Sequence, residues 1–413
     1  MPPTQGKALA TTDFPLYFAQ QFLLFPPTRG QALMPLDVVA LTKDLISYNS
    51  VSQLSNVPVT RHVAKVLKSL GFQIEELPYT DANGVDKLSI VGKLGKGTGG
   101  LSLMSHDDVV PATNAHEWTG SPFEGRIANK KLYGRGSADM KGPLAASICA
   151  AAHFKAKDLV APVYIVVTAD EETSCVGAYD VARRSKLFQQ ASSGYGLICE
   201  PTRLRVVYAH KGGLGMRITS RGRAAHTSTL KGKNANLDMI PFLVEMKKIN
   251  DLVLSSKRYR NDEFKPAHSE WSIGINDHNV ATNISPVQSV CTLGYRIMPG
   301  IDVKPLIERT RKSARKYGLK CETLRQGNPL YTAPDSALVK TALKLTGTRK
   351  PTTVPYGTDG VALSARMKKM VVLGPGDIAQ AHTVDEWIEL EQLHKGVDVY
   401  TRFIDHVCIQ GLD

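Results

Sequence analysis

Val163-Tyr164-Ile165-Val166-Val167, followed at once by Thr168-Ala169-Asp170-Glu171-Glu172-Thr173, is the stretch on which the fold turns. A short apolar run of this kind reads as a buried strand. Three acids crowd the residues just after it. Adjacent acids repel one another. A solvated loop tolerates that, whereas a cationic site would use it, with one acid as ligand and its neighbour as general base. Adjacent side chains point in different directions, so Glu171 and Glu172 need not share a task.

Outward from this strand, helical and strand patterns alternate. Helical spacing covers 36–48 and 59–70, short apolar runs cover 88–91 and 101–104, an alanine-rich helix covers 142–155, and 197–199 is again a strand. Such alternation predicts an α/β domain with helices on both faces of a sheet. From about residue 213 the character changes. A strand at 214–219, a helix at 236–249, strands at 271–275 and 287–296 and a helix at 303–317 predict a small α+β unit with an antiparallel sheet. The α/β style returns from about 326, with helices near 336–345 and 389–407. The expected division is therefore 34–212 with 326–413 as one domain and 213–325 as an insertion. Residues 1–33 carry few charges and two Pro-Pro pairs, and read as a disordered extension, with Met34 as the true start.

The chain has 413 residues, 42% hydrophobic and 22% charged, which suits a globular protein of two domains. No apolar run approaches the roughly 20 residues that span a bilayer. The net charge of +13 is spread along the chain, with one concentration at Arg309, Arg311, Lys312, Arg315, Lys316 and Lys320. Helical spacing there predicts a solvated face, and no zinc finger or RNA-recognition motif points to nucleic acid. Six cysteines without a C-x-x-C pair suit a reduced, cytoplasmic protein.

Four further segments carry chemistry. Strand 101–104 leads into Ser105-His106-Asp107-Asp108, where a carboxylate next to a histidine can fix its tautomer, although such pairs are also common without a metal. Gly134-Arg135-Gly136-Ser137-Ala138-Asp139 precedes a helix, so Asp139 is either an N-cap or a carboxylate able to bridge two metals. Glu200 follows strand 197–199, and His382 follows the apolar run 371–373 and Gly374-Pro375-Gly376. Ligands collect at the carboxyl ends of strands in open α/β sheets, so these segments are expected to form one site. His106, Asp139, Glu172, Glu200 and His382 give a mixed imidazole and carboxylate set. That set suits two Zn2+, with Co2+ or Mn2+ as substitutes, and leaves room for water.

In order and context these segments resemble the metallopeptidase and deacylase family of acetylornithine deacetylase, succinyl-diaminopimelate desuccinylase, aminoacylase and carboxypeptidase G, over about 36–406. The resemblance implies a zinc-peptidase-like catalytic domain with a mixed sheet, plus an inserted lid or dimerisation domain. It implies that His106 and Glu200 hold one zinc, that Glu172 and His382 hold the other, and that Asp139 bridges them. Glu171 then matches the general base and Asp108 the partner of His106. His226 matches a histidine that reaches the neighbouring subunit's site in a homodimer. Asn283 and Arg296 match positions that bind the polar end or carboxylate of the substrate, and Gly357-Thr358-Asp359 resembles a substrate loop. Asp107 and Gly294 depart from the family pattern, which puts substrate preference and lid packing in question. Glu200-Pro201-Thr202, Ala209-His210-Lys211-Gly212 and Gln380-Ala381-His382 look most like the acetylornithine deacetylase branch. The implied activity is hydrolytic removal of an acyl group from an amino acid, in amino-acid metabolism such as arginine biosynthesis. The alternatives are a desuccinylase, a carboxypeptidase or dipeptidase, a metal-bound scaffold and a basic nucleic-acid binder.

Overall fold

The structure is a computed structural model and describes residues 36–278 and 281–411. The expected extension at 1–33 and the start at Met34 lie outside the described residues. The apolar run forms the strand Val163–Thr168, buried throughout. It pairs in parallel with Leu101–His106, which pairs in parallel with Tyr195–Ile198, which pairs in parallel with Met370–Val372. Parallel strands covered on both faces are mostly apolar, and these four are, with Ser102 and Ser105 as small buried interruptions. Val163, Ile165 and Val167 enter one core, with residues of the helices Val38–Ile46, Val57–Ser69, Lys141–Ala151 and Leu390–Ile404. Tyr164 and Val166 enter the core on the opposite face, with the helices Val176–Arg184 and Lys186–Ala191. Each fully buried Val or Ile contributes about 1.5–3 kcal/mol, so the centre of the sheet is its best-anchored part.

The outer strands are antiparallel, except Thr352–Val354, which pairs in parallel with Val207–His210. Asp86–Leu94 pairs with Val163–Thr168 and with Gln73–Thr80 on one side. Val207–His210 pairs with Met370–Val372 and with Leu330–Tyr331 on the other. The sheet is therefore mixed, with helices on both faces.

The helix Lys141–Ala151 is buried at every residue, which explains its small side chains. Its N-cap is Met140, with no side-chain cap bond, so the N-cap reading of Asp139 does not hold. Gly374 allows a close crossing, because a Cβ there would lie 2.1 Å from the carbonyl oxygen of Cys199.

Residues 213–327 form a four-stranded antiparallel sheet in the order Trp271–Asn276, Gln288–Tyr295, Gly213–Arg221 and Lys320–Gly327. The helices Ala235–Ser255 and Lys304–Lys316 cover it through a separate core that includes Phe242, Met246, Trp271 and Leu306. The fourth strand was not expected, and the expected boundary at 325–326 falls inside it. Leu306, Ile307, Thr310, Ser313 and Ala314 bury one side of the helix Lys304–Lys316, and Arg311, Lys312, Arg315 and Lys316 face solvent. Among the described residues no helix is long and apolar enough to cross a membrane.

Candidate functional site

The four parallel strands end at one edge of the sheet, and the chemistry-bearing segments follow from them. His106 ends its strand. Glu171 and Glu172 lie three and four residues past Thr168, Glu200 two past Ile198, and His382 in the loop after Val372. Asp139 is shared between the two imidazoles. Its Oδ1 is 3.2 Å from His106 Nε2, and its Oδ2 is 3.3 Å from His382 Nε2. His106 Nε2 is also 3.8 Å from Glu200 Oε1 and 4.0 Å from Glu171 Oε2. His382 Nε2 is 3.0 Å from Glu172 Oε2. The polar atoms of His106, Asp139 and Glu172 lie within 4.8 Å of one another, as do those of His106, Glu171 and Glu200.

Asp108 differs from expectation in detail. The main-chain carbonyl of Asp108 is 2.9 Å from His106 Nδ1, whereas its carboxylate is 3.6 Å away. That carboxylate instead accepts the N–H of Glu171 at 3.1 Å, the N–H of Glu172 at 3.3 Å and the hydroxyl of Ser52 at 2.6 Å. It holds the acidic loop and the His106 segment in one register. Asp170, just before Glu171, has a left-handed φ of 60°. Such a conformation costs about 1–3 kcal/mol in a non-glycine residue and persists where surroundings over-determine it. Buried Lys87 at 2.8 Å and the Tyr79 hydroxyl at 2.7 Å do so here.

The charges of this cluster are mutually frustrated. Burial and the neighbouring Glu200, Asp359 and Glu172 push Glu171 well above the carboxylate range, although His106 opposes this. Burial and Asp139 push Glu200 the same way. Burial would lower His106, but its bond to Asp139 and the surrounding acids raise it well above its ordinary value. Bonds to Asp139 and Glu172 bring His382 to about 10. Among the described residues, no lysine or arginine pairs with Asp139, Glu171, Glu172 or Glu200. A set of oxygen and imidazole donors that is buried apart from exposed His382, with excess negative charge and no lysine or arginine against it, fits divalent metal ions.

The expected substrate residues fall into two groups. Arg296 is exposed beside Gly357, where an added Cβ would lie 3.8 Å from Arg296 Nη1. Thr358 is buried, and its hydroxyl is occupied, 2.9 Å from His210 Nε2 and accepting the N–H of Gly360 at 3.0 Å. His226 and Asn283 lie together on the 213–327 unit, where the Thr227 N–H donates to the Asn283 carbonyl at 3.0 Å. The Ser228 N–H donates to His226 Nδ1 at 3.3 Å, which leaves the proton of the neutral ring on Nε2 of this exposed side chain.

Asp107 faces away from the cluster. Asn56 at 2.7 Å and Thr60 at 2.5 Å donate to its carboxylate, and burial pushes it up to about 7. Its departure from the family pattern is therefore met by Asn56 and Thr60, at the start of the helix Val57–Ser69. Asp359, the third residue of the expected substrate loop, is buried, accepts from the Thr168 hydroxyl and is pushed up to about 6 by burial. Sequence reasoning missed Glu386, which lies four residues past His382.

A mixed α/β sheet whose carboxyl edge gathers acids and imidazoles around one shared carboxylate defines a metallohydrolase of amide bonds. The chain belongs to peptidase family M20/M25/M40, whose sequence signature matches residues 102–406. It is 33% identical over 388 residues to the acetylornithine deacetylase of Proteus mirabilis (strain HI4320), covering 90% of this chain and 97% of that one. It shares its fold with a family M20 metallo-carboxypeptidase of Sulfolobus solfataricus, with a TM-score of 0.70 and 20% identity over 89% of this chain and 98% of that one. A Bacillus subtilis peptidase of the same family, described as binding a dinuclear metal centre, matches with a TM-score of 0.60 and 13% identity over 90% of this chain and 97% of that one.

Proposed function

We propose that this protein is a two-metal amidohydrolase that removes an N-acyl group, acetyl above others, from an amino acid such as N-acetylornithine. The observation that carries the reading is Asp139, with one oxygen toward His106 and the other toward His382. The relatedness to acetylornithine deacetylase over nearly the whole chain favours that substrate class. In this reading His106 and Glu200 hold one cation and Glu172 and His382 the other, with Asp139 common to both. Zinc suits this donor set, and cobalt or manganese would replace it. When bound, the cations polarise the amide carbonyl and make a water more acidic.

The chain's own residues do the rest. Glu171 accepts the proton of the attacking water and returns it to the leaving amine. His226 donates from Nε2 to the carbonyl oxygen as it gains charge. Arg296 pairs with the substrate carboxylate as a fork, and Asn283 assists at the polar end. Asp108 keeps Glu171 and Glu172 aimed differently by holding both main-chain N–H groups. Gly357 leaves space beside Arg296.

We assign 36–212 and 328–411 to the catalytic domain and 213–327 to a lid that also dimerises, the boundary moving to the end of the strand Lys320–Gly327. Leu237, Ile240 and Val244 lie exposed along the helix Ala235–Ser255, next to exposed Ile275 on the edge strand Trp271–Asn276, which supports a second copy there. The six unpaired cysteines support a cytoplasmic setting.

The test is amine release by chelator-stripped and zinc-reloaded protein on N-acetyl, N-succinyl and N-formyl amino acids and on dipeptides. Activity restored by zinc and greatest on N-acetyl amino acids supports the reading. Preference for dipeptides would move it to the peptidase branch, and activity insensitive to stripping would refute it.

A further inference from the structure

We infer that Glu386 is the positioning residue that orients the shared carboxylate of Asp139, by gathering the whole 135–139 loop onto one buried side chain. The inference rests on the reading of Asp139 and His382 as metal ligands and goes beyond it, since Glu386 is itself no ligand. Glu386 is fully buried, four residues beyond His382. Its Oε1 accepts the N–H of Ala138 at 2.9 Å and the N–H of Asp139 at 3.0 Å. Its Oε2 accepts the N–H of Gly136 at 3.1 Å and Arg135 Nη1 at 2.6 Å. A carboxylate has about four acceptor positions, and four donors use them.

The remaining main-chain donors of the loop go elsewhere, Arg135 N–H to the Pro122 carbonyl and Ser137 N–H to the Gly134 carbonyl. The loop lies between the strand Lys131–Tyr133 and the helix Lys141–Ala151, in turn conformation. Gly136 adopts φ +84°, and a Cβ there would sit 2.9 Å from Val109. The loop therefore curls tightly around the Glu386 carboxylate and delivers Asp139 at its end.

Arg135 extends the same connection. It is 2% exposed, its guanidinium stacks 5.2 Å from the Trp118 ring centre, and its Nη2 donates to the Pro111 carbonyl at 3.3 Å. Glu386 is thus tied to the Asp139 loop directly, to the segment after His106 through Arg135, and to His382 through the chain. Three segments that carry proposed ligands meet at one buried ion pair. Groups that orient metal ligands from behind commonly change metal affinity when altered, whereas a pair that only stabilised the fold would change melting alone.

Wild type, E386Q, E386D and D139N are stripped with chelator, checked for fold by circular dichroism, and titrated with cobalt(II) by calorimetry and visible absorption. Gln keeps the volume but turns one acceptor into an NH2 group facing main-chain donors. E386Q is expected to weaken binding of at least one cobalt by about 10–100-fold and to alter the cobalt spectrum. In steady-state assays at limiting metal, kcat falls while KM stays near wild type. E386D keeps the charge on a shorter stem and should recover part of both losses. Wild-type cobalt affinity and spectrum in folded E386Q would overturn the inference, and if E386Q does not fold, the same result in E386D would. Two-cobalt binding unchanged in D139N would instead overturn the assignment of the site, and this inference with it.

Discussion

His210 should make the protein lose stability in mild acid by an amount that can be calculated. The ring is fully buried beside the point where the chain leaves for the 213–327 unit. Its Nδ1 is 3.0 Å from the Lys211 carbonyl, and its Nε2 is 2.9 Å from the Thr358 hydroxyl. The carbonyl can only accept, so Nδ1 carries the proton and Nε2 accepts from Thr358. A second proton would reverse the Thr358 bond and place a charge in a fully buried site. Burial accordingly lowers His210 from 6.5 to about 4, with Arg296 adding to the effect. The folded value lies below the unfolded one. Stability from the neutral ring is therefore complete above pH 6.5 and is lost as pH falls toward 4, because the unfolded chain binds the proton first. At about 1.4 kcal/mol per pH unit, the loss is about 2 kcal/mol at pH 5 and about 3 kcal/mol below pH 4.

The assay is urea unfolding of chelator-stripped wild type and His210→Asn at pH 7 and pH 5. The ligand cluster also titrates, but it does so in both proteins and cancels in the difference. Wild type should lose about 2 kcal/mol more than the variant between the two pH values. Equal losses in the two proteins would refute the reasoning, whatever the variant's absolute stability.

Three further outcomes follow from the site and the cores. Glu171→Gln should retain both metals by elemental analysis and lose at least about a hundredfold in kcat, the low end for a general base. His226→Ala should lower kcat while cobalt titration shows an unaltered metal site. Phe242→Ala, fully buried in the core of the 213–327 unit, should cost about 3–5 kcal/mol, read as faster amide exchange in that unit.

The sequence exposed the centre of the fold and hid its margins for a common reason. Strands such as Val163–Thr168 and Leu101–His106 are buried on both faces, so burial writes itself as a run of apolar residues broken at most by small polar ones. Gln73–Thr80 is an outer strand with most residues at least partly exposed and with Pro78 inside it, which an edge tolerates. Lys320–Gly327 is mostly exposed too, so nothing apolar marks it as a strand. Four of the ligand segments were legible because each follows such an apolar run, and Asp139 because it stands in a glycine-containing loop before a helix. Glu386 was not, because an acid between Asp385 and Trp387 reads as a solvated residue until Arg135, 251 positions away, is seen against it. Thr358 shows what a resemblance leaves out. The likeness to a substrate loop gave no sign that its hydroxyl is shared with His210 and the Gly360 N–H inside the protein.

The chain departs for the four-stranded unit and comes back through a single doorway. Gly213 on the outgoing strand lies opposite Gly327 on the returning one, and just beyond them His210 faces Leu330 across an antiparallel pair. The ends left by excising the unit are already neighbours in a ladder, so a short turn could join them without moving the strands behind. The same arrangement lets the excursion be lengthened, exchanged or lost in a relative while the strands that carry the chemistry keep their register.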